Sequence, residues 1–233
     1  GFRGMLLIVI EHIVWDWNGT LFDDAQVVYL AACEVFAAHG LPSVTMDAYR
    51  AAYSRPIETF YAKLFGRELA AGEFAGLDDD FHDAYRRTMA GVTLATGARQ
   101  TLRAWRQSGR SQSLLSMFRH EQLLSLVGRY GIQDEFVRID GLVGPGGGHK
   151  AEHLARHLAA LRLDPAAVLL VGDSLDDADA AAGAGAGCIL YNGGYHDRSA
   201  LEEAAASASA AASGTVPVAD TMGEVLSLAT APR

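Results

Sequence analysis

Beyond Gly97 the chain alternates between short apolar runs and stretches of helical spacing. Residues 98–107 read as a helix, 112–116 as a strand, 121–130 as a helix, 136–140 as a strand and 151–161 as a helix. Residues 167–171 form the next strand, an Ala-rich helix starts near Asp176, and 188–191 is a further strand. Residues 216–219 suit an edge strand because they contain Pro217. Residues 204–214, mostly Ala and Ser, read as a helix running into a loop. Repeated βα units predict an α/β fold, a Rossmann-like parallel sheet with helices on both faces.

The N-terminal part follows a different pattern. Ile13-Val14-Trp15 closes an apolar run that reads as a buried strand. From about Ala25 to Ala90 the spacing is helical throughout. Gly40 suits the end of the first helix, Thr45 a cap for residues 46–53, and Pro56 the first position of a helix over 57–65. Residues 72–90 give one more helix, with Asp78-Asp79-Asp80 in it. The expected organisation is therefore a core of residues 1–24 and 91–233, interrupted by an all-helical insert over 25–90 that acts as a cap. Residues 1–10 read as an extra strand or a tail; their apolar run is too short to span a membrane.

Four strand-end segments carry the candidate chemistry. Asp16 follows the first strand and opens Asp16-Trp17-Asn18-Gly19-Thr20, where Gly19 permits a sharp turn. Ligands of open parallel sheets collect outside the carboxyl ends of the strands, which makes Asp16 a candidate nucleophile; read singly, it would be a turn or helix cap. Ser116 ends an apolar strand and can bond a phosphate oxygen or cap the next helix. Lys150 follows Gly146-Gly147-Gly148-His149 in the first turn of a helix, where the helix dipole disfavours a cation unless an anion is bound nearby. Val168-Leu169-Leu170-Val171-Gly172 leads into Asp173-Ser174-Leu175-Asp176-Asp177. Crowded carboxylates call for a cation, and an all-oxygen set suits Mg²⁺. Asp173 is the expected direct ligand, with Asp177 orienting water or Lys150.

Composition narrows the picture. The chain has 233 residues, half of them hydrophobic, with a formal net charge of −9. That balance argues against a broad nucleic-acid-binding face. Two cysteines in apolar surroundings, Cys33 and Cys188, fit free thiols in a cytoplasmic protein. His149, His153 and His157 share a helical face and read as solvated. Gly183-Ala184-Gly185-Ala186-Gly187 lacks the spacing of a nucleotide-binding loop and reads as a helix stop. Arg55, Tyr61 and Lys63 of the helical insert are candidates for touching a substrate. The expected partner is a small phosphorylated molecule, with no nucleic acid and no membrane, and the protein a monomer or homodimer.

In order and placement, Asp16-Trp17-Asn18-Gly19-Thr20, Ser116, Lys150 and Gly172-Asp173-Ser174 with Asp177 resemble the haloacid dehalogenase superfamily, in its phosphoglycolate phosphatase-like subgroup with a helical cap. The resemblance runs from about Glu11 to about Ala229. It implies a Mg²⁺-dependent phosphohydrolase in which Asp16 attacks phosphorus and becomes an aspartyl-phosphate. Ser116, Lys150 and Thr20 would hold phosphoryl oxygens, with Arg55 as a further substrate contact. Asp16, Asp173 and the backbone carbonyl of Asn18 would bind the metal, and Asp177 would stand behind them. The superfamily's other chemistry, dehalogenation at carbon, needs no metal and sits badly with the Asp173–Asp177 cluster.

Asn18 departs from the pattern. Phosphatases of this family usually carry Asp there, to protonate the leaving oxygen and then activate water. Loss of general acid–base catalysis is worth roughly 10²–10⁴-fold. The alternatives are a substrate with a good leaving group, a slow enzyme, or a phosphate-ligand-binding or regulatory protein without turnover. Deamidation of Asn18-Gly19 would restore an aspartate.

Overall fold

The computed structural model describes residues 9–54, 56–144, 149–211 and 215–231. Six strands form one all-parallel sheet: β1 (His12–Trp15), β2 (Ser111–Arg119), β3 (Ile139–Leu142), β4 (Val168–Gly172), β5 (Gly187–Tyr191) and β6 (Val218–Ala219). Their order across the sheet is β3-β2-β1-β4-β5-β6, which puts β1 at the centre. The helices are α1 (Ala25–Ala38), α2 (Met46–Ala52), α3 (Ile57–Phe65), α4 (Glu73–Thr88), α5 (Ala98–Gln107), α6 (His120–Arg129), α7 (Lys150–Leu161), α8 (Leu175–Ala184), α9 (Arg198–Ala211) and α10 (Met222–Thr230).

Period-two alternation sorts the strand residues between two cores. Ile13, Trp15, Leu169, Val171 and Ile189 face a core completed by α5, α6 and α10. Val14, Val168, Leu170 and Leu190 face a second, completed by α7, α8 and α9. Both faces of the sheet are thus covered, as a parallel sheet requires. Helices α1 to α4 surround a third apolar core containing Phe36, Tyr49, Phe60, Leu77 and Ala84. Thr45 caps α2 by accepting from the Ala48 N–H at 3.2 Å, a contact worth about 1 kcal/mol.

Several elements depart from the sequence reading. β2 runs on past Ser116 to Arg119, and its pairing with β3 shifts register after Leu115. β3 begins at Ile139 rather than 136, because a 3₁₀ turn over Gln133–Glu135 delays the chain and leaves Val137 exposed. Pro56 precedes α3 as its cap instead of entering it. Helix α10 was absent from the sequence reading, although Thr221 and Glu224 form a capping box that marks its start. The expected readings of residues 1–8, Arg55 and the glycines 146–148 lie outside the described residues.

His157 is buried, contrary to the expected solvated histidine face, because α7 turns it onto the sheet. Its Nε2 lies 2.7 Å from Ser113 Oγ, and its Nδ1 lies 2.7 Å from Asp140 Oδ2. His12 Nε2 meets the same Ser113 Oγ at 2.7 Å. This polar chain ties β1, β2 and β3 to the helix that begins with Lys150. Cys188 is buried and Cys33 half-buried. Among the described residues, no helix is long and apolar enough to cross a membrane.

Candidate active site

The carboxyl ends of β1 and β4 lie side by side, paired from His12/Val168 to Trp15/Val171. Asp16 leaves β1 with its N–H donating to Val171 O at 2.8 Å, which fixes where its side chain starts. Asp173 leaves β4 directly opposite, and α8 then presents Asp177 on its first turn. Carboxylate oxygens of Asp16, Asp173 and Asp177 lie within 4.8 Å of one another. Lys150, the first residue of α7, reaches Asp16 Oδ1 at 2.7 Å and also pairs with Asp177 Oδ1. Asp177 Oδ2 is held in turn by the Ser174 N–H and hydroxyl, at 3.1 and 2.6 Å. Asp177 thus links Lys150 to the Ser174 turn.

Close approach here depends on glycine. A Cβ on Gly194 would lie 1.8 Å from Asp173 Oδ2, and one on Gly172 would lie 2.1 Å from Asp177 Cγ. Gly19, at φ +71°, would place a Cβ 2.4 Å from Asp173 Oδ2. Gly194 had no signal in the sequence, since the residue it makes room for is distant along the chain.

The four charged side chains are nearly out of water, with relative exposures of 7% for Asp16, 8% for Lys150, 2% for Asp173 and 0% for Asp177. Three carboxylates face one ammonium, so water screens little of the excess negative charge. Burial pushes the Asp16 carboxyl up to about 6 against the pull of Lys150. Asp173 is driven up as well, by burial and then by the charges of Asp16 and Asp177. Burial opposes the charge on Lys150, but Asp16 and Asp177 more than offset it and its pKa rises. An uncompensated set of oxygen donors in this state suits a hard divalent cation, so the residues present fit Mg²⁺.

Asp24, which the sequence reading passed over, organises the turn. Its Oδ2 accepts from Asn18 Nδ2 at 2.8 Å and from the Tyr85 hydroxyl at 2.7 Å. Its Oδ1 accepts from the Gly19 N–H at 2.8 Å and the Tyr195 hydroxyl at 2.8 Å. Burial raises its pKa, against these four donors. The same bonds hold both groups that succinimide closure would have to join, the Asn18 amide and the Gly19 nitrogen, which disfavours deamidation.

A cavity of about 400 Å³ opens over the cluster, lined by Asp16, Asn18, Ser116, Lys150 and Asp173 on the sheet side. Ser116 Oγ accepts the Phe118 N–H at 3.0 Å, leaving its proton for another acceptor. Thr20 is fully buried, and its hydroxyl faces Asp173 Oδ1 at 3.4 Å rather than the cavity. Tyr61 lines the cavity from the helical insert, whereas Lys63 is bonded to Ser54.

The buried histidines carry a pH prediction. Burial lowers the pKa of His12 from 6.5 to about 4, and that of His157 also falls. Below pH 6.5 the unfolded chain takes up protons that the folded one refuses, so stability falls with pH, by on the order of 3 kcal/mol for His12 at pH 4. Asp16 and Asp173 act in the opposite sense, because the folded protein protonates them first. Urea midpoints from pH 7 to 4.5 are therefore compared between the protein and His12→Gln. The variant is expected to show the smaller acid-side loss.

Residues 10–185 match the family model of haloacid dehalogenase-like hydrolases. An N-acetylmuramic acid 6-phosphate phosphatase of Pseudomonas aeruginosa is 26% identical over 191 residues, 80% of this chain and 83% of that protein. Phosphoglycolate phosphatase of Rhodobacter capsulatus is 25% identical over 187 residues, 78% of this chain and 84% of that protein. In fold, a haloacid dehalogenase-like hydrolase of Streptococcus pneumoniae superposes with a TM-score of 0.77 at 20% identity, covering 94% of this chain and 98% of the other.

Proposed function

The chain belongs to the haloacid dehalogenase-like hydrolase family, and from that membership we propose that it is a Mg²⁺-dependent phosphohydrolase acting on a small phosphorylated molecule through an aspartyl-phosphate at Asp16. The observation that carries the reading is the buried cluster of Asp16, Asp173, Asp177 and Lys150, of which Asp16, Asp173 and Lys150 line one cavity. The phosphatase names of the two relatives agree with it; dehalogenation is not favoured.

Asp16 Oδ1 is engaged by Lys150, so the other carboxylate oxygen is the attacking one. It forms a bond to phosphorus as the ester oxygen leaves with its electron pair. Water then attacks phosphorus, the Asp16–phosphorus link breaks, and inorganic phosphate departs. Lys150 and the Ser116 hydroxyl hold the phosphoryl oxygens through the transfer, where preorganised charge is the largest expected contribution. Asp16, Asp173 and the Asn18 carbonyl would hold Mg²⁺, which when bound neutralises the meeting anions. Asn18 carries no transferable proton, so the leaving oxygen departs without help from that position. Residues 25–90 act as the cap that excludes water during transfer, and the enzyme works in the cytoplasm.

A second reading, a ligand-binding or regulatory protein without turnover, is favoured by one observation: Asn18 is locked to Asp24 through its amide nitrogen. Phosphate release from a panel of phosphomonoesters and acyl phosphates separates the two. The hydrolase reading predicts release in Mg²⁺ that stops on chelation and returns when Mg²⁺ is restored. Thermal stabilisation by phosphate ligands with no release supports the second reading.

A further inference from the structure

Beyond Asp16, Lys150 and Asp173, much of the cavity wall is aromatic. Tyr53, Ile57, Phe81, Phe118 and Tyr195 line it, each only partly buried. The Tyr53 and Tyr195 rings lie 5.3 Å apart, joining the helical insert to the loop after β5. Phe81 stacks on Tyr85 at 6.0 Å. Among the described lining residues Lys150 is the only Lys or Arg, and it is already committed to two carboxylates. Asp78 and Asp176 add negative charge to the wall, and His82 lies 3.6 Å from Asp78.

Building on the phosphohydrolase reading, we infer that this aromatic wall takes a leaving group that is apolar or ring-bearing and carries no negative charge of its own. A second anion there would leave water to face Asp78 and aromatic faces, with no described cation to pair with. An uncharged ring gains apolar burial and offset or edge contacts with the aromatic walls. A positively charged one adds attraction to the ring faces and to Asp78. Phosphoglycolate, whose leaving group bears a carboxylate, is accordingly a poor substrate, although it names one relative.

Three phenyl phosphates test this on the full chain in Mg²⁺: the 4-ethyl, 4-(carboxymethyl) and 4-(aminomethyl) esters. One methylene separates each charge from the ring, which keeps the phenol leaving groups similar. The 4-ethyl and 4-(aminomethyl) esters are expected to exceed the carboxymethyl ester in kcat/KM by about tenfold or more. Asp78→Asn should narrow the ratio of the amine to the carboxylate ester. Equal or better hydrolysis of the carboxymethyl ester overturns the inference and leaves the hydrolase reading standing. If neither these esters nor the phosphomonoesters and acyl phosphates of the wider panel release phosphate, the hydrolase reading fails, and the melting-temperature shifts produced by the same three compounds still rank the pocket. A carboxymethyl ester that stabilises most overturns the inference on that readout too.

Discussion

Replacing Asp16 with Asn is expected to reduce phosphate release by roughly 10⁴–10⁶-fold, the scale seen when a covalent nucleophile is removed. The substitution keeps the shape and takes away the attacking electron pair. It also lowers the crowding of negative charge among Asp16, Asp173 and Asp177, where burial already pushes the Asp16 carboxyl up to about 6. The folded protein without metal is therefore expected to be no less stable, since Lys150 keeps its partner Asp177. Single-turnover assays and a thermal melt on the same preparation check both halves. Lost activity with an unchanged melt assigns the effect to chemistry; activity that survives removes Asp16 as the nucleophile.

Asn18→Asp is expected to work in the other direction. With an alkyl phosphate ester, whose leaving oxygen needs a proton, the gain should approach the roughly 10²–10⁴-fold typical of general acid catalysis. With acetyl phosphate, which departs unaided, the gain should be small. The structure adds a complication that spacing alone could not reveal. Asp24 Oδ2 sits 2.8 Å from the nitrogen that would become a carboxyl oxygen. Two carboxyls that close cannot both ionise, so the pair would retain one proton, which is what a general acid requires. Asn18→Asp combined with Asp24→Asn removes the sharing and should lose part of the gain. Initial rates for both variants on both substrate types make the comparison; equal gains on the two types would refute the missing-acid account of Asn18.

The sheet was legible because its strands obey simple rules. β1, β4 and β5 are short, apolar and bounded by turn formers, and they lie within a residue or so of their expected positions. β3 was harder, since Ile139–Leu142 is half-buried and contains Asp140 and Gly141, which weakens any apolar signal. The positions of Asp16, Lys150, Asp173 and Asp177 followed from strand ends, and the structure brings all four together. What stayed hidden depends on residues far apart in the chain. Asp24 next to Asp23 looks like an exposed acidic pair; only Asn18, Tyr85 and Tyr195 converging on it show otherwise. His157 shares a helical face with two other histidines, and nothing local says that Ser113 and Asp140 wait beneath it. The aromatic wall draws on residues from 53 to 195, so no window of sequence contains it.

Asp24 is also the last residue before α1, the point where the chain leaves the sheet for the helical insert. Of the four donors it gathers, Asn18, Gly19 and Tyr195 come from the sheet side and Tyr85 from α4. Door-post and latch are thus one residue. Any displacement of α4 away from the strand ends would take the Tyr85 hydroxyl off a fully buried carboxylate, a loss of roughly 1–3 kcal/mol unless water replaces it.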